Sequence, residues 1–368
     1  MDNRQTITEA EILKRLKDGR LEFPPLSLRL LRTESGAGTD DRFDAVVEAT
    51  WGRVRQKFAV ETKALSTPKA FQDVVNRVKA ATLPAGCWPL IIVPYLREEH
   101  LRELDREGIS GIDLCGNGVV LVAGKLAVYR TGAPNRFPMS WPIKNIYQRN
   151  SSMVGRVFLA RRRFESVQEI RDEINRRNPL VERGEATPMS LATVSKALKT
   201  LEQDLIVART EGVRLLQADK LLEKLVENFA APKVRERVRW KMPVTGLALV
   251  EWLERESAGW DVVVVASGLS SVSRYAVMER GEMLTVYCSR AAKLLAKLPG
   301  SATDRFPNLE VIETEDEPAY FDARGGGGFR WASPVQVYLE LMAGDKRDQE
   351  TAAQVREVLL KPVEGSLA

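Results

Sequence analysis

Two carboxylates and one ammonium group are predicted to meet on a β-hairpin near the N-terminus. The segment RFDAVVEATWGRVRQKFAVETKA, residues 42–64, is rich in β-branched and aromatic residues on both sides of Gly52. This pattern predicts two antiparallel strands joined by a two-residue turn that begins at Gly52. Asp44 then lies opposite Glu61, at a Cβ–Cβ separation of roughly 4.5–5.5 Å. Lys63 points to the same side as Glu61, because side chains alternate along a strand.

This cluster has the groups that metal-dependent phosphodiester hydrolysis uses. Two close carboxylates repel each other unless a positive charge lies between them. Mg²⁺ or Mn²⁺ is the candidate cofactor, with Asp44 and Glu61 as its ligands, since Mg²⁺ binds one or two carboxylates plus water and phosphate. Lys63 would orient the attacking water or stabilise charge on the phosphate, so all three are candidate catalytic residues. Gln72, on the helix predicted to follow, is a candidate substrate-side residue. The alternative for the cluster is a surface strand with a cross-strand Glu–Lys pair, and the alternative for Gln72 is a solvated helix face.

The order Asp44, then Glu61-x-Lys63, resembles the signature of the PD-(D/E)XK nuclease superfamily, although Phe43 stands where that superfamily usually has proline. A helix that begins near Pro68 and the apolar run WPLIIVPY follow the hairpin, in the order of the superfamily core. The resemblance implies a restriction-endonuclease-like mixed sheet and cleavage of DNA.

Motifs at both ends of the chain carry a second resemblance. They are PYL at 94–96, IDLCGN at 112–117 and the segment ASPVQVYLELMAGDKRDQETAAQVREVLL at 332–360. These resemble bacterial proteins of the abortive-infection type IV antitoxin family, although Arg97 replaces a serine. The resemblance implies a transcriptional regulator or antitoxin, with a cognate toxin as a candidate partner and a noncatalytic nuclease fold. Asp113 is either a further acidic site residue or, as we prefer, a residue that stabilises a turn by hydrogen bonds from its side chain to the nearby backbone.

Residues 158–220 have the order helix, loop, helix, hairpin. The segment ESVQEIRDEIN predicts an amphipathic helix, MSLATVSKALKTLEQ predicts a second helix, and LIVARTEGVRLLQ predicts a hairpin that turns at Glu211-Gly212. This layout resembles bacterial winged-helix repressors and implies double-stranded DNA as the partner, with the second helix in the major groove. The alternative is a winged helix that contacts only proteins. The predicted DNA-binding residues are Ser190, Thr193, Ser195, Lys196, Lys199, Thr200, Arg209 and Arg214.

The C-terminal third predicts further strands and helices. Its GLSS turn, residues 268–271, is able to hold an anion at a helix N-terminus. The turn faintly resembles nucleotidyltransferase-like domains, but the acidic pair of those enzymes is absent, so we expect a degenerate domain. The predicted fold class is α/β, as a multidomain α+β chain. Its domains are 1–150 nuclease-like, 151–235 winged helix-turn-helix and 236–368 nucleotidyltransferase-like.

The charge, cysteine and histidine content of the sequence favours some classes of protein function and disfavours others. The net charge is +5, and arginine is concentrated at 161–164, 171–178 and 233–241, which suits a phosphate backbone. The three cysteines are far apart and form no CxxC pair, which argues against a zinc ribbon. The single histidine, His100, is expected on a helix surface, so catalysis by histidine is disfavoured. The sequence has no long apolar stretch or signal peptide, so we expect a cytoplasmic protein with no membrane partner.

The segment ADKLLEKLVENFAA, residues 218–231, carries an apolar stripe at helical spacing. It either packs on its own chain, which we prefer, or forms a homodimer contact. The leading functional hypothesis is Mg²⁺-dependent DNA cleavage directed by the winged helix. Its rivals are a transcriptional regulator or type IV antitoxin, and a protein-interaction scaffold.

Overall fold

The computed structural model describes residues 7–33, 43–137, 145–278, 283–325 and 328–361. The chain forms two compact units, 1–144 and 145–368. Both units combine helices with open sheets that mix parallel and antiparallel strands, so the predicted α/β class is confirmed. None of the helices in these ranges is both long enough and apolar enough to cross a bilayer.

The N-terminal unit contains a seven-stranded sheet whose strands lie in chain order. The strands are β1 (Ser27–Thr33), β2 (Ala45–Trp51), β3 (Val54–Thr62), β4 (Cys87–Val93), β5 (Ser110–Asp113), β6 (Gly118–Val122) and β7 (Leu126–Arg130). The helices are α1 (Glu9–Lys17), α2 (Pro68–Ala80) and α3 (Glu98–Glu107). Strands β3, β4 and β5 are parallel, so their C-terminal ends meet at one edge of the sheet. The flanking pairs are antiparallel.

The β2–β3 hairpin has the register that the sequence predicts. Ala45 pairs with Val60, and Trp51 pairs with Val54 across the turn. Gly52 has a φ of 56°, which is the left-handed conformation that tight hairpin turns require. This register holds the residue before β2 beside the end of β3.

Helix α1 covers one face of this sheet, and helices α2 and α3 cover the other. Ile12 of α1 shares a core with Phe58 and other residues of the sheet. Phe71 of α2 shares a second core with Ala59. Alternation along β3 therefore places Glu61 on the same face as Ala59, toward α2 and α3.

His100 is buried, so its predicted position on a helix surface is wrong. Its side chain is 4% exposed and stacks on Phe71, with ring centroids 4.2 Å apart. The backbone N of Arg97 donates to His100 Nδ1 at 3.5 Å. The physical reason is that His100 belongs to the stripe of α3 that contains the buried Leu101 and Leu104.

The C-terminal unit begins with five helices and a small antiparallel sheet of order β8-β10-β9. The helices are α4 (Ser152–Ala160), α5 (Val167–Arg176), α6 (Pro179–Glu182), α7 (Leu191–Gln203) and α8 (Ala218–Glu227). The strands are β8 (Arg163–Phe164), β9 (Val207–Ala208) and β10 (Val213–Leu215). Glu211 and Gly212, at the predicted turn, have φ values of 55° and 89°.

A six-stranded sheet of order β14-β11-β15-β13-β12-β16 follows. The strands are β11 (Glu236–Lys241), β12 (Val264–Ala266), β13 (Leu284–Cys288), β14 (Ser301–Ala302), β15 (Leu309–Glu313) and β16 (Phe329–Trp331). The helices are α9 (Gly246–Glu256), α10 (Ala291–Leu295), α11 (Pro334–Met342) and α12 (Lys346–Leu360).

One hydrophobic core joins the two parts of the C-terminal unit. Val194 of α7 and Leu221 of α8 belong to the same buried cluster as Val265 of β12 and Leu339 of α11. The described residues of segments 151–235 and 236–361 therefore share one core. The apolar stripe of α8 packs within its own chain, as preferred from the sequence, through Leu221, Leu222, Leu225, Val226 and Phe229.

Candidate functional site

The first candidate site is the end of strand β3, where Asp44 and Glu61 lie close together. Asp44 N donates to Val60 O at 2.9 Å, which continues the hairpin ladder beyond β2. Asp44 Oδ2 accepts hydrogen bonds from Thr62 N and Thr62 Oγ1, both at 2.7 Å. Glu61 is only 1% exposed, so it does not lie on a solvent-exposed strand, as the alternative required.

Two cations flank the buried Glu61 carboxylate. Glu61 Oε1 lies 2.9 Å from Arg77 Nη1 and 3.6 Å from Lys63 Nζ. Neither contact gives Oε1 a hydrogen bond of acceptable geometry. Lys63 Nζ also lies 3.6 Å from Glu9 Oε1. The structure therefore brings Asp44, Glu61 and Lys63 together and adds Arg77 and Glu9 to them.

Neither Arg77 nor Glu9 was predicted at this site from the sequence. Arg77 directly precedes the buried Val78 on α2, at the border of the apolar face that packs on the sheet. Helical periodicity predicts that Arg77 lies at this border. It does not predict that this part of α2 lies close to the end of β3. Gln72 donates to Asn76 Oδ1 at 3.4 Å within α2. In the described parts of the chain, no contact joins Gln72 to the two carboxylates.

The pKa of Glu61 lies above its ordinary value of 4.5. Burial is the largest cause, and the negative charge of Asp44 raises the pKa further, while Arg77 and Lys63 lower it. The folded chain therefore binds a proton at Glu61 more readily than the unfolded chain does. It follows that folding stability falls as pH rises from 4.5 through the raised pKa.

A substitution of Glu61→Gln should remove this pH dependence. We expect the melting temperature of the wild type to fall relative to that of Glu61→Gln as the pH rises from 4.5 toward neutrality. Thermal unfolding of both proteins in matched buffers measures the difference. A difference that stays constant over that range would show that Glu61 does not titrate with a raised pKa.

Asp44 and Glu61 are also the residues that could hold a divalent cation. Among the described residues, no group of three or more His, Cys, Asp or Glu side chains is arranged to bind a metal. Two carboxylates suffice for Mg²⁺, which takes its other ligands from water and substrate. Glu61 Oε1, buried and without a hydrogen bond, fits that role if the Arg77 side chain, which is 43% exposed, moves aside.

Asp113 lies at the end of β5, at the same edge of the sheet, but both oxygens of its carboxylate accept hydrogen bonds from neighbouring residues. Asp113 Oδ1 accepts hydrogen bonds from the backbone N of Cys115, Gly116 and Asn117 at 2.7–2.8 Å. Asp113 Oδ2 accepts from Leu96 N at 2.9 Å and from Asn117 Nδ2 at 2.8 Å. The preferred interpretation of Asp113 as a residue that ties a turn is confirmed.

The second candidate site is the outer face of α7 together with the β9–β10 hairpin. Ser190 caps α7, and its Oγ accepts from Thr193 N at 3.2 Å. Seven of the predicted DNA-binding side chains are exposed: Ser190, Thr193, Ser195, Lys196, Lys199, Arg209 and Arg214.

Thr200 is the exception on α7, and the prediction that it faces outward is wrong. Its side chain is 5% exposed, and Thr200 Oγ1 donates to Lys196 O at 3.4 Å. Thr200 lies three residues after the buried Ala197, so helical periodicity turns it toward the core.

The cations of this second site lack carboxylate partners among the described residues. In the ranges that the structure describes, Lys196, Lys199, Arg209 and Arg214 form no ion pair. By contrast, Arg176, Arg177 and Lys224 of the same unit pair with glutamates. Because α7 contacts β9, these cations lie on or beside adjoining elements of the unit.

The predicted anion position at the GLSS turn is filled by a carboxylate of the same chain. Leu269 N donates to Glu340 Oε2 at 3.0 Å. A Cβ added at Gly268 would lie 2.7 Å from the carboxyl carbon of Glu340, so the two groups are in close contact. With Glu340 in place, this turn does not offer a phosphate site.

Comparison with known proteins adds no assignment. No family model, curated protein or solved structure matches this chain.

Proposed function

We propose that this protein binds double-stranded DNA through α7 and the β9–β10 hairpin. The observation that carries the proposal is the set of four exposed cations without an ion-pair partner among the described residues: Lys196, Lys199, Arg209 and Arg214. Their charges suit DNA phosphates, and the neighbouring Thr193 and Ser195 hydroxyls suit either phosphates or base edges.

The order of elements supports a winged helix-turn-helix for this part of the unit. The elements follow in the order α4, β8, α5, α6, α7, β9, β10, and the three strands form a sheet of order β8-β10-β9. In such a fold the helix that precedes the hairpin lies in the major groove. A DNA-binding transcriptional regulator is the function that this arrangement favours. An antitoxin role, with a cognate toxin as partner, is a narrower form of the same proposal and rests on the sequence resemblance alone.

A binding titration with a fluorescein-labelled DNA duplex tests this proposal. We expect Lys196→Gln/Lys199→Gln to weaken binding by about tenfold or more, because each lost phosphate contact removes favourable counterion release. The matched control is Lys224→Gln, which removes a lysine that is paired with Glu227 on α8. Equal affinity of the double variant and the wild type would contradict the proposed DNA surface.

Metal-dependent cleavage of DNA at Asp44, Glu61 and Lys63 is the second candidate function. The observation that favours it is the buried Glu61 Oε1, which lacks a hydrogen bond and lies beside Asp44. Asp44 and Glu61 would hold Mg²⁺, which when bound supplies Lewis-acid stabilisation of phosphate charge. The Lys63 ammonium would stabilise negative charge on the same phosphate. We rank this function second, because Arg77 already neutralises Glu61.

A plasmid-nicking assay separates the two functions. If the site is active, we expect the wild type to nick supercoiled DNA with Mg²⁺ or Mn²⁺, and Asp44→Asn and Lys63→Ala to lose this activity. Both variants should keep their DNA affinity, because the cations of α7 are unchanged. The control is Asp73→Asn, which changes an exposed aspartate on α2. Equal nicking by the wild type and the two site variants would remove the cleavage proposal and leave DNA binding in place.

A further inference from the structure

A cavity of about 150 Å³ lies inside the C-terminal unit, beside helices α4 and α8. Its wall includes apolar side chains and a few polar ones. The residues that matter for its chemistry are Arg149, Arg156, Phe229, Lys233, Asp316 and Gln336. A cavity of this size holds a ligand about as large as benzene.

Arg156 gives this cavity a buried guanidinium with unused donors. The side chain is 5% exposed. Arg156 Nη1 donates to Pro318 O at 3.0 Å and to Gln336 Oε1 at 2.8 Å. Arg156 Nε is buried without any acceptor, and Nη2 has no hydrogen bond to a residue that the structure describes.

Arg156 also lacks a direct counter-ion in the described parts of the chain. Its link to Glu340 passes through Gln336, whose Nε2 donates to Glu340 Oε1 at 2.9 Å. Burial raises the pKa of Glu340, and burial lowers the pKa of Arg156 to about 10, with Glu340 opposing that shift. A buried charge without a paired opposite charge is costly, so an anion beside Arg156 would stabilise the fold.

The remaining charges around the cavity also favour an anion. Arg149 and Lys233 are exposed and line the same cavity. The acidic residue of the lining is Asp316, and its Oδ2 accepts a hydrogen bond from Lys233 N at 2.6 Å. Leu225, Phe229 and Ala319 supply apolar wall for the body of a ligand.

We propose that this cavity binds a small organic anion whose carboxylate or phosphate group pairs with the Arg156 guanidinium through Nη2. Nη2 has no acceptor among the described residues, and a charged N–H donor forms a strong hydrogen bond to an oxyanion. The apolar wall accepts a short hydrocarbon or a single ring. This binding site is independent of DNA binding and of the Asp44–Glu61 cluster.

Calorimetric titration of the full chain tests the proposal. The titrants are sodium benzoate, sodium butyrate and inorganic phosphate, each at the same constant ionic strength. We expect at least one probe to bind with saturation at one site per chain, and the probe that binds identifies the ligand as carboxylate or phosphate. Lys233→Gln should weaken that affinity about threefold, since it removes one partly screened charge. Lys346→Gln, at an exposed position on α12, should leave the affinity unchanged.

Arg156→Met should abolish binding, and a second measurement covers the case in which this variant does not fold. In ¹⁵N NMR spectra of the wild type, one arginine Nε–H signal should shift along the same titration. Absence of saturable binding by all three probes would overturn the proposal. Equal binding by the wild type and a folded Arg156→Met, or no shifted Nε–H signal, would also overturn it.

Discussion

Asp113→Ala is expected to destabilise the N-terminal unit by about 3–5 kcal/mol. The Asp113 carboxylate accepts five hydrogen bonds, and the side chain is 1% exposed. Its removal leaves the backbone N–H groups of Leu96, Cys115, Gly116 and Asn117 without an acceptor in a buried turn. Each such group carries a desolvation penalty of about 1–3 kcal/mol, although these penalties do not add fully.

Urea unfolding followed by circular dichroism measures this loss in the full chain. Hydrogen exchange of residues 110–122 assigns it to the turn and the strands that flank it. The control is Asp105→Ala, which removes an exposed aspartate of α3 that accepts from the Tyr129 hydroxyl. We expect the control to cost about 1 kcal/mol or less. Similar midpoints for both variants would show that the Asp113 carboxylate does not hold the turn.

Replacement of four cations by glutamine is expected to remove most of the DNA affinity. The variant carries Lys196→Gln, Lys199→Gln, Arg209→Gln and Arg214→Gln. If each cation contacts one phosphate, affinity at moderate salt should fall on the order of a thousandfold. Because the four side chains are exposed and unpaired in the described chain, the fold should be unaffected, which thermal unfolding checks.

The control for this variant is an equal change of charge elsewhere in the same unit. Glutamine at Lys224, Arg255, Lys293 and Lys297 removes four cations that are paired with carboxylates. A similar loss of affinity in both fourfold variants would mean that net charge, and not the surface of α7, determines binding.

The local features of this fold were predictable from the sequence because they depend on short-range rules. The β2–β3 register follows from the left-handed glycine of a two-residue turn and from alternation along the strands, and Ala45 pairs with Val60 as those rules require. Asp113 could be interpreted correctly because an Asx residue before a glycine-containing turn bonds its own backbone. Ser190 could be identified as a candidate helix cap for the same kind of reason.

The parts that the sequence did not predict depend on long-range packing. Arg77 meets Glu61 only because α2 crosses the end of β3. The contact of Arg156 with Gln336 joins α4 to α11 across far-separated positions in the chain. Thr200 is a different case, because helical periodicity from the buried Ala197 already places it toward the core, and its hydroxyl alone suggested an outward position.

The salt dependence of duplex binding by the wild type and the α7–hairpin fourfold variant tests the proposed DNA surface most directly. The slope of log affinity against log salt counts the phosphate contacts that a protein makes. For the wild type we predict a steep negative slope, and for the variant a slope that is shallower by about 3.6, at about 0.9 for each cation lost. Identical slopes for the two proteins would contradict the account, because they would show that Lys196, Lys199, Arg209 and Arg214 do not contact DNA.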